Sequence, residues 1–410
     1  MPAVTELDLP EIDLSDPQLR GERWHAAMRA LRDDGARLAR APLGFVVLDR
    51  RAGEQLLRTK SAIFPGLLLA QLFGIAEGPL HEQMTRNIIN VNGRDHARLR
   101  GLVNPALAPR AVERYRPMMR EILEDLWAGG AGEGATVDFV DAIAKPYPSR
   151  TIARVMGAPE ADAPRLHDWS MWIQRQFDPI ALGDAEQRRA IDAKVAEFYA
   201  WVRPLIERRR DTPADDLISS LIVAEQEGDR LSDAELENLV LNILVGGVDT
   251  TQSQLAHAVR LLAERPEQWA ALHADPDGLA ARAADEALRF EPITPLTARL
   301  IVEEVEVDGV TYPPDTVVIV CAFAGNRDAA TYERPDEFDI TAERETKRML
   351  TFGAGIHYCV GANLARAELI EGLAFLARRA ERAELAGEPE LQPVSGIYGV
   401  DALPVRFTVC

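Results

Sequence analysis

The sequence predicts a mainly α-helical fold with a small β region, and three observations carry that expectation. Helical patterning dominates from about residue 95 to 290. The segment RLIVEEVEVDGVTYPPDTVVIV (Arg299 to Val320) alternates, with turn signals at Asp308-Gly309 and Pro313-Pro314. After an irregular stretch rich in Pro, Asp and Arg, a last helix runs to about Glu381. No internal repeat, low-complexity tract or Gly/Ser-rich linker divides the 410 residues, so the chain reads as one domain, 1–410.

The central helix is the best-marked element. Ser232 can cap its start and Glu235 can reach back, a capping box. Apolar residues recur at Leu236, Leu239, Val240, Ile243 and Leu244, one buried helical face, and the pattern extends to about Glu264, before Pro266. Such a helix is roughly 50 Å long and crosses the whole domain. In its middle lies GGVDTT (Gly246 to Thr251), where two glycines cost about 2 kcal/mol of helix propensity. Either a close helix crossing demands small residues there, or the helix opens locally and presents Asp249 and Thr250 to a buried site.

Composition narrows the function. Apolar residues make up 47% and charged residues 27%, ordinary for a globular protein. The net charge of −19 disfavours nucleic acid and anionic membranes as partners. The acidic first twenty residues carry no apolar core, and the most apolar stretch, Leu239 to Val248, is too short for a membrane span. A soluble, cytoplasmic protein is expected. Three cysteines without a CxxC spacing argue against a disulfide framework, a thiolate zinc site and covalent c-type haem. Cys321 lies in an apolar run and Cys410 ends the chain.

Cys359 has the unusual surroundings: LTFGAGIHYCVGANLARAE, Leu350 to Glu368. It precedes a helix whose N-terminal N–H groups favour thiolate over thiol. Gly353, Gly355 and Gly361 clear side chains from around the sulfur. A metal would complete the logic, since coordination deprotonates a thiol outright. Alone, however, the residue reads equally well as a structural cysteine in a glycine turn.

FGAGIHYCVGANLARAE resembles the cytochrome P450 haem-binding signature F-x-x-G-x-H-x-C-x-G through Phe352, Gly355, His357, Cys359 and Gly361. The likeness extends, in the expected order, over His96 and Arg100 (DHARLR), GGVDTT, Glu286 and Arg289 (EALR), Arg299, and NRD at 326–328. It implies the P450 fold and a haem-thiolate monooxygenase that inserts one oxygen atom from O2 into a lipophilic small molecule. Haem b would be the cofactor, with Cys359 its iron ligand and Phe352, Gly353 and Gly361 shaping the loop around it. A thiolate pushes electron density onto iron and favours O–O cleavage. His96, Arg100, Arg299 and His357 would clamp the haem propionates. Asp249 and Thr250 match the acid–alcohol pair that delivers protons, which the peroxide-driven members typically lack. Glu286 and Arg289 would form a buried bracing pair. The family usually adds an arginine in an FDxxR pattern; here FDITA places Ala342 there, and Arg344 or Arg334 is expected to substitute.

Substrate contacts by resemblance are apolar: Leu67, Phe73, Trp172, Ile243, Gly246, Ile293, Leu296 and Ile397. No reductase, flavin or iron–sulfur motif is present, so electrons are expected from a separate ferredoxin and its reductase. Docking is expected on the cysteine side through Arg98, Arg110, Arg114, Lys347, Arg348 and Arg366, with the enzyme a monomer. The alternatives are a peroxide-using, dehydrogenating or C–C coupling haem-thiolate enzyme, or a haem protein that only binds a ligand.

Overall fold

A computed structural model describes residues 1–131, 136–227, 231–344 and 349–409. The helices that build the site are α1 (Arg50–Arg58), α2 (Gly66–Leu72), α3 (Gly93–Val103), α4 (Pro146–Met156), α5 (Ala163–Gln174), α6 (Ala185–Asp211), α7 (Asp233–Gly247), α8 (Asp249–Ala263), α9 (Pro276–Phe290) and α10 (Ala362–Arg379).

The expected capping box starts α7. Ser232 Oγ accepts from the Glu235 N–H at 3.3 Å, and Glu235 Oε2 accepts from the Ser232 N–H at 2.8 Å. Leu236, Leu239, Val240, Ile243 and Leu244 are all buried, each contributing about 1.5–3 kcal/mol relative to exposure. The expected single helix is interrupted at Val248, whose φ/ψ of −97°/−70° separates α7 from α8. α8 is buried nearly all round, so its polar residues find partners inside the protein. Gln252 meets His167 at 2.8 Å, Gln254 Nε2 donates to the Glu291 carbonyl at 3.0 Å, and His257 meets the Tyr398 carbonyl at 3.0 Å. Both α8 and α9 pack on α10.

The strands gather at two sides. β1 (Leu38–Ala41), β2 (Gly44–Val47), β3 (Ala62–Ile63), β5 (Leu296–Ile301) and β8 (Val317–Cys321) form one sheet in the order β1-β2-β8-β5-β3. Within it only the β2–β8 pair is parallel. β6 (Val305–Val307) and β7 (Val310–Tyr312) pair as a hairpin. Its turn residues Asp308 and Gly309 have φ of 52° and 85°, the left-handed values a two-residue hairpin turn requires. β4 (Thr136–Asp138), β9 (Ala380–Leu385) and β12 (Pro404–Val409) make a second sheet, with β12 central. β10 (Glu390–Leu391) and β11 (Val400–Ala402) pair beside α8. Among the described residues no helix is long and apolar enough to cross a membrane.

Candidate active site

The loop that carries Cys359 is closed by its own backbone. The Cys359 N–H donates to the Phe352 carbonyl at 3.0 Å, and the Gly353 N–H to the Leu350 carbonyl at 2.8 Å. Gly355 is required for packing: its φ is +74°, and a Cβ there would lie 2.4 Å from the Leu57 carbonyl of α1. It clears space for α1, not for the sulfur. Gly361 does lie beside the thiol, where a Cβ would sit 3.9 Å from Sγ. Burial raises the thiol's pKa, against the backbone N–H groups of Gly361 and Ala362 and the charge of Arg100. The expectation that the helix terminus favours thiolate is therefore outweighed. A partial charge and two amides recover less than removing a full negative charge from water costs. A cation at the sulfur would reverse the balance.

The four residues proposed as an anion clamp are brought together. The His96 and His357 rings lie 4.5 Å apart, edge to face. His357 Nε2 is 3.3 Å from Asn92 Oδ1, and its pKa is pushed down to about 3 by burial and then by Arg299, His96 and Arg100. Burial lowers Arg299 to about 10, and among the described residues it hydrogen-bonds the neighbouring Ala298 carbonyl at 2.8 Å. Among the described residues no carboxylate pairs with Arg100 or Arg299. Like-signed groups gathered in a dry place without a counter-charge suit an external anion. The two carboxylates of haem fit that donor set. Among the described residues no three His, Cys, Asp or Glu side chains could hold a bare metal ion.

At the break in the central helix the two glycines differ. A Cβ on Gly247 would lie 2.5 Å from Ile152 Cδ1, so α4 crosses close to the glycine and a larger residue would have to move the Ile152 side chain. A Cβ on Gly246 would meet nothing within 4 Å, so that position opens onto free space. The two glycines of the pair thus differ in what surrounds them. Thr250 Oγ1 donates to the Gly246 carbonyl at 2.7 Å. Asp249 is buried, and desolvation lifts its pKa to about 7, with Arg175 and the Ser253 hydroxyl pulling the other way and Asp401 adding to the rise.

Comparisons with known proteins agree with this geometry. The family described as Cytochrome P450 matches residues 167–379. Luteothin monooxygenase of Streptomyces thioluteus is 34% identical over 401 residues, 98% of this chain and 96% of that protein. The chain belongs to the cytochrome P450 family. Mycinamicin IV hydroxylase/epoxidase of Micromonospora griseorubida is 36% identical over 313 residues, 76% of each chain. The crystal structure of CalO2 matches with a TM-score of 0.89 at 30% identity, covering 98% of this chain and 99% of that one. P450BioI in complex with an acyl carrier protein carrying hexadec-9Z-enoic acid matches at 0.85 and 27% identity, covering 94% and 99%. This P450 is accordingly a monooxygenase with a haem-thiolate cofactor.

The bracing pair is fully buried. Arg289 gives two hydrogen bonds to Glu286, both 2.8 Å, and others to the carbonyls of Asn326, Pro335 and Glu337 at 3.1, 2.7 and 2.9 Å. Where Ala342 leaves the family's arginine missing, Arg344 brings Nε to 3.2 Å from Glu286 Oε2. Arg334 turns instead to Glu337 and Asp339.

The proposed substrate residues fall into three groups. Leu67 is 39% exposed on α2, and Phe73 ends that helix against Gly183. Trp172 on α5 lies 4.6 Å beneath the Arg175 guanidinium, and Phe64 and Phe177 join the two segments edge to face at 5.8 Å. Ile243 and Gly246 lie on α7. The Ile293 carbonyl accepts a 2.7 Å hydrogen bond from the Tyr398 N–H, bringing Ile293 near Ile397, while Leu296 begins β5.

Of the cations expected to surround the cysteine side, three also pair with acids. Arg98 pairs with Glu235, Arg114 with Asp215 at 3.2 Å, and Arg366 with Asp285 at 2.7 Å. Acidic neighbours are abundant in so acidic a chain. Lys347 and Arg348 lie outside the described residues. Arg110 is exposed and makes no ion pair among the described residues.

Sequence reasoning missed Asn92 beside His357 and Ser253 beside Asp249. It also gave no role to Glu368, buried and held well above the usual carboxylate range by desolvation, with Thr151 and Thr251 as its hydroxyl partners. Ser253 had a signal, being one helical turn beyond Asp249; Asn92 had none.

Proposed function

We propose that this P450 binds haem b through Cys359 and inserts oxygen from O2 into a lipophilic small molecule, using electrons from a separate ferredoxin and its reductase. The observation that carries the reading is the buried Asp249 next to Thr250 at the break in the central helix. When bound, the haem supplies a thiolate-ligated iron that favours O–O cleavage. Cys359 provides the thiolate within the loop of Phe352, Gly353 and Gly361. His96, Arg100, Arg299 and His357 hold the propionates. Thr250 spends its hydroxyl proton on the Gly246 carbonyl, so its oxygen is left to accept from a water or a protonated oxygen. Asp249, lifted to about 7, can take up and release a proton at neutral pH. Open space at Gly246 gives the substrate a place near both, and Leu67, Phe73, Trp172, Ile243, Ile293, Leu296 and Ile397 offer it apolar surface. A relative named mycinamicin IV hydroxylase/epoxidase supports a small-molecule substrate.

Product, hydrogen peroxide and consumed NAD(P)H measured together test the assignment. Thr250→Ala is expected to keep haem content while product per reducing equivalent falls and peroxide rises. Asp249→Asn is expected to slow turnover about 10²-fold, the low end for a positioned acid or base. Unchanged coupling in Thr250→Ala would remove the proton-delivery role.

A further inference from the structure

A buried relay must be recharged from solvent after each proton it gives up. We propose that protons reach Asp249 from the exposed Gln392–Asp401 pair of the β10–β11 hairpin through the Ser253 hydroxyl, with Gly399 keeping the passage open. The inference rests on reading Asp249 as the relay.

The path can be followed inward from the surface. Asp401 is exposed, and its Oδ1 accepts from Gln392 Nε2 at 2.6 Å. The Gln392 backbone is fixed across the hairpin, its N–H donating to the Gly399 carbonyl at 3.0 Å. A Cβ on Gly399 would lie 2.7 Å from Gln392 Oε1 and 3.2 Å from Ser253 Oγ. The two oxygens therefore border one small space that a side chain would fill, and they stand within the reach of a single bridging water. Ser253 is 2% exposed and stands one helical turn beyond Asp249 on the same face of α8, where its hydroxyl opposes the rise of the Asp249 pKa. Asp401, Gln392, Ser253 and Asp249 thus set oxygens in succession from the surface towards the buried acid.

The other polar neighbours serve less well. Arg175 is the second charged group near Asp249, but a guanidinium does not release its proton. It is also engaged with Gln187 Oε1 at 3.1 Å and with the Trp172 face. His167 bonds Gln252, the residue before Ser253, and does not act on Asp249. A hydroxyl both accepts and donates, so it passes a proton without holding charge. For each proton Asp249 gives to the oxygen side, Ser253 passes one inward and takes one from water at Gln392, leaving the net charge of the file unchanged.

The test uses the haem-loaded enzyme and two readouts. The first is hydrogen–deuterium exchange of the Asp249 carboxyl in the resting protein, followed by its infrared band and assigned by loss of that band in Asp249→Asn. The second is product formation in H2O and D2O. Ser253→Ala and Gly399→Ala are each expected to slow both by about tenfold, less than removal of the acid itself, and to enlarge the solvent isotope effect. Ser253→Thr, which keeps the hydroxyl, is expected to restore both. Exchange and turnover at the unmodified rates in Ser253→Ala and Gly399→Ala would overturn the inlet, while slow turnover in Asp249→Asn would leave the relay standing. A slowdown found only in Arg175→Leu would also overturn the inlet. If Asp249→Asn itself left turnover and coupling unchanged, the relay reading would fall and the inlet with it.

Discussion

Removing Arg344 should expose how this P450 stabilises its buried Glu286 without the family's usual arginine. Glu286 accepts two 2.8 Å bonds from Arg289 and one of 3.0 Å from the Asp339 N–H, and Arg344 adds a charge at 3.2 Å. Arg344 also donates to the carbonyls of Arg334 and Glu337, both at 3.2 Å. In Arg344→Ala the acid keeps its main partner, so the loss is that of charged hydrogen bonds, about 1.5–3 kcal/mol. With an unfolding entropy of ~2.1 cal/mol/K per residue, a chain of 410 residues loses ~1 °C of Tm per kcal/mol, or about 2–4 °C here. Arg289→Met leaves the buried acid without its main counter-charge and should cost about 3–5 kcal/mol. Beside Glu286 lies a cavity of about 240 Å³ bordered by Ala342, Asp285 and Arg344. An arginine introduced at 342 has room there to reach the acid, so Ala342→Arg should recover the Tm lost in Arg344→Ala. Calorimetry and haem retention on the unmodified protein, Arg344→Ala, Ala342→Arg and the combined variant form a double-mutant cycle. An Arg344→Ala Tm equal to that of the unmodified enzyme would show that Arg344 is idle and refute the substitution argument.

Two further outcomes follow from the electrostatics. The folded protein keeps the Asp249 proton up to about pH 7, whereas the unfolded chain loses it near pH 4. Stability contributed by that proton is therefore full below pH 4 and declines as pH rises to 7, by up to ~4 kcal/mol at ~1.4 kcal/mol per unit. Asp249→Asn should gain stability relative to the unmodified protein across that window, and denaturant midpoints at pH 4.5 to 7.5 would show a parallel pair of curves if it does not. Arg110→Glu should slow reduction by an acidic ferredoxin at low salt, with the difference vanishing at high salt. Arg114→Glu should do less, because Asp215 already offsets that charge; stopped-flow reduction at two ionic strengths compares them.

Local chemistry was legible in the sequence where the deciding contacts are near in the chain. The Ser232–Glu235 box, the Asp308-Gly309 turn and the interruption around GGVDTT all depend on neighbours within a few residues. Pairings across the chain were not. β2 and β8 lie some 270 residues apart in sequence yet pair in parallel, and four-residue strands such as β1 and β2 carry too little periodicity to stand out. The clamp residues were marked by the family motif, but their lack of acidic partners among the described residues is a property of the assembled fold. Gly355 illustrates the limit: it sits in the haem-binding signature, while its immediate constraint is the Leu57 carbonyl of α1. Gly399 shows the reverse, an unremarkable glycine in sequence that the fold sets between Ser253 and Gln392.

The central claim is that Cys359 is the only protein ligand of the haem iron, and the carbon monoxide spectrum of the reduced protein tests it most directly. The unmodified enzyme should show the strongly red-shifted Soret band of a thiolate adduct, and Cys359→His should bind haem but lose that band. A histidine-type spectrum from the unmodified protein, or an unchanged red-shifted band in Cys359→His, would contradict the account.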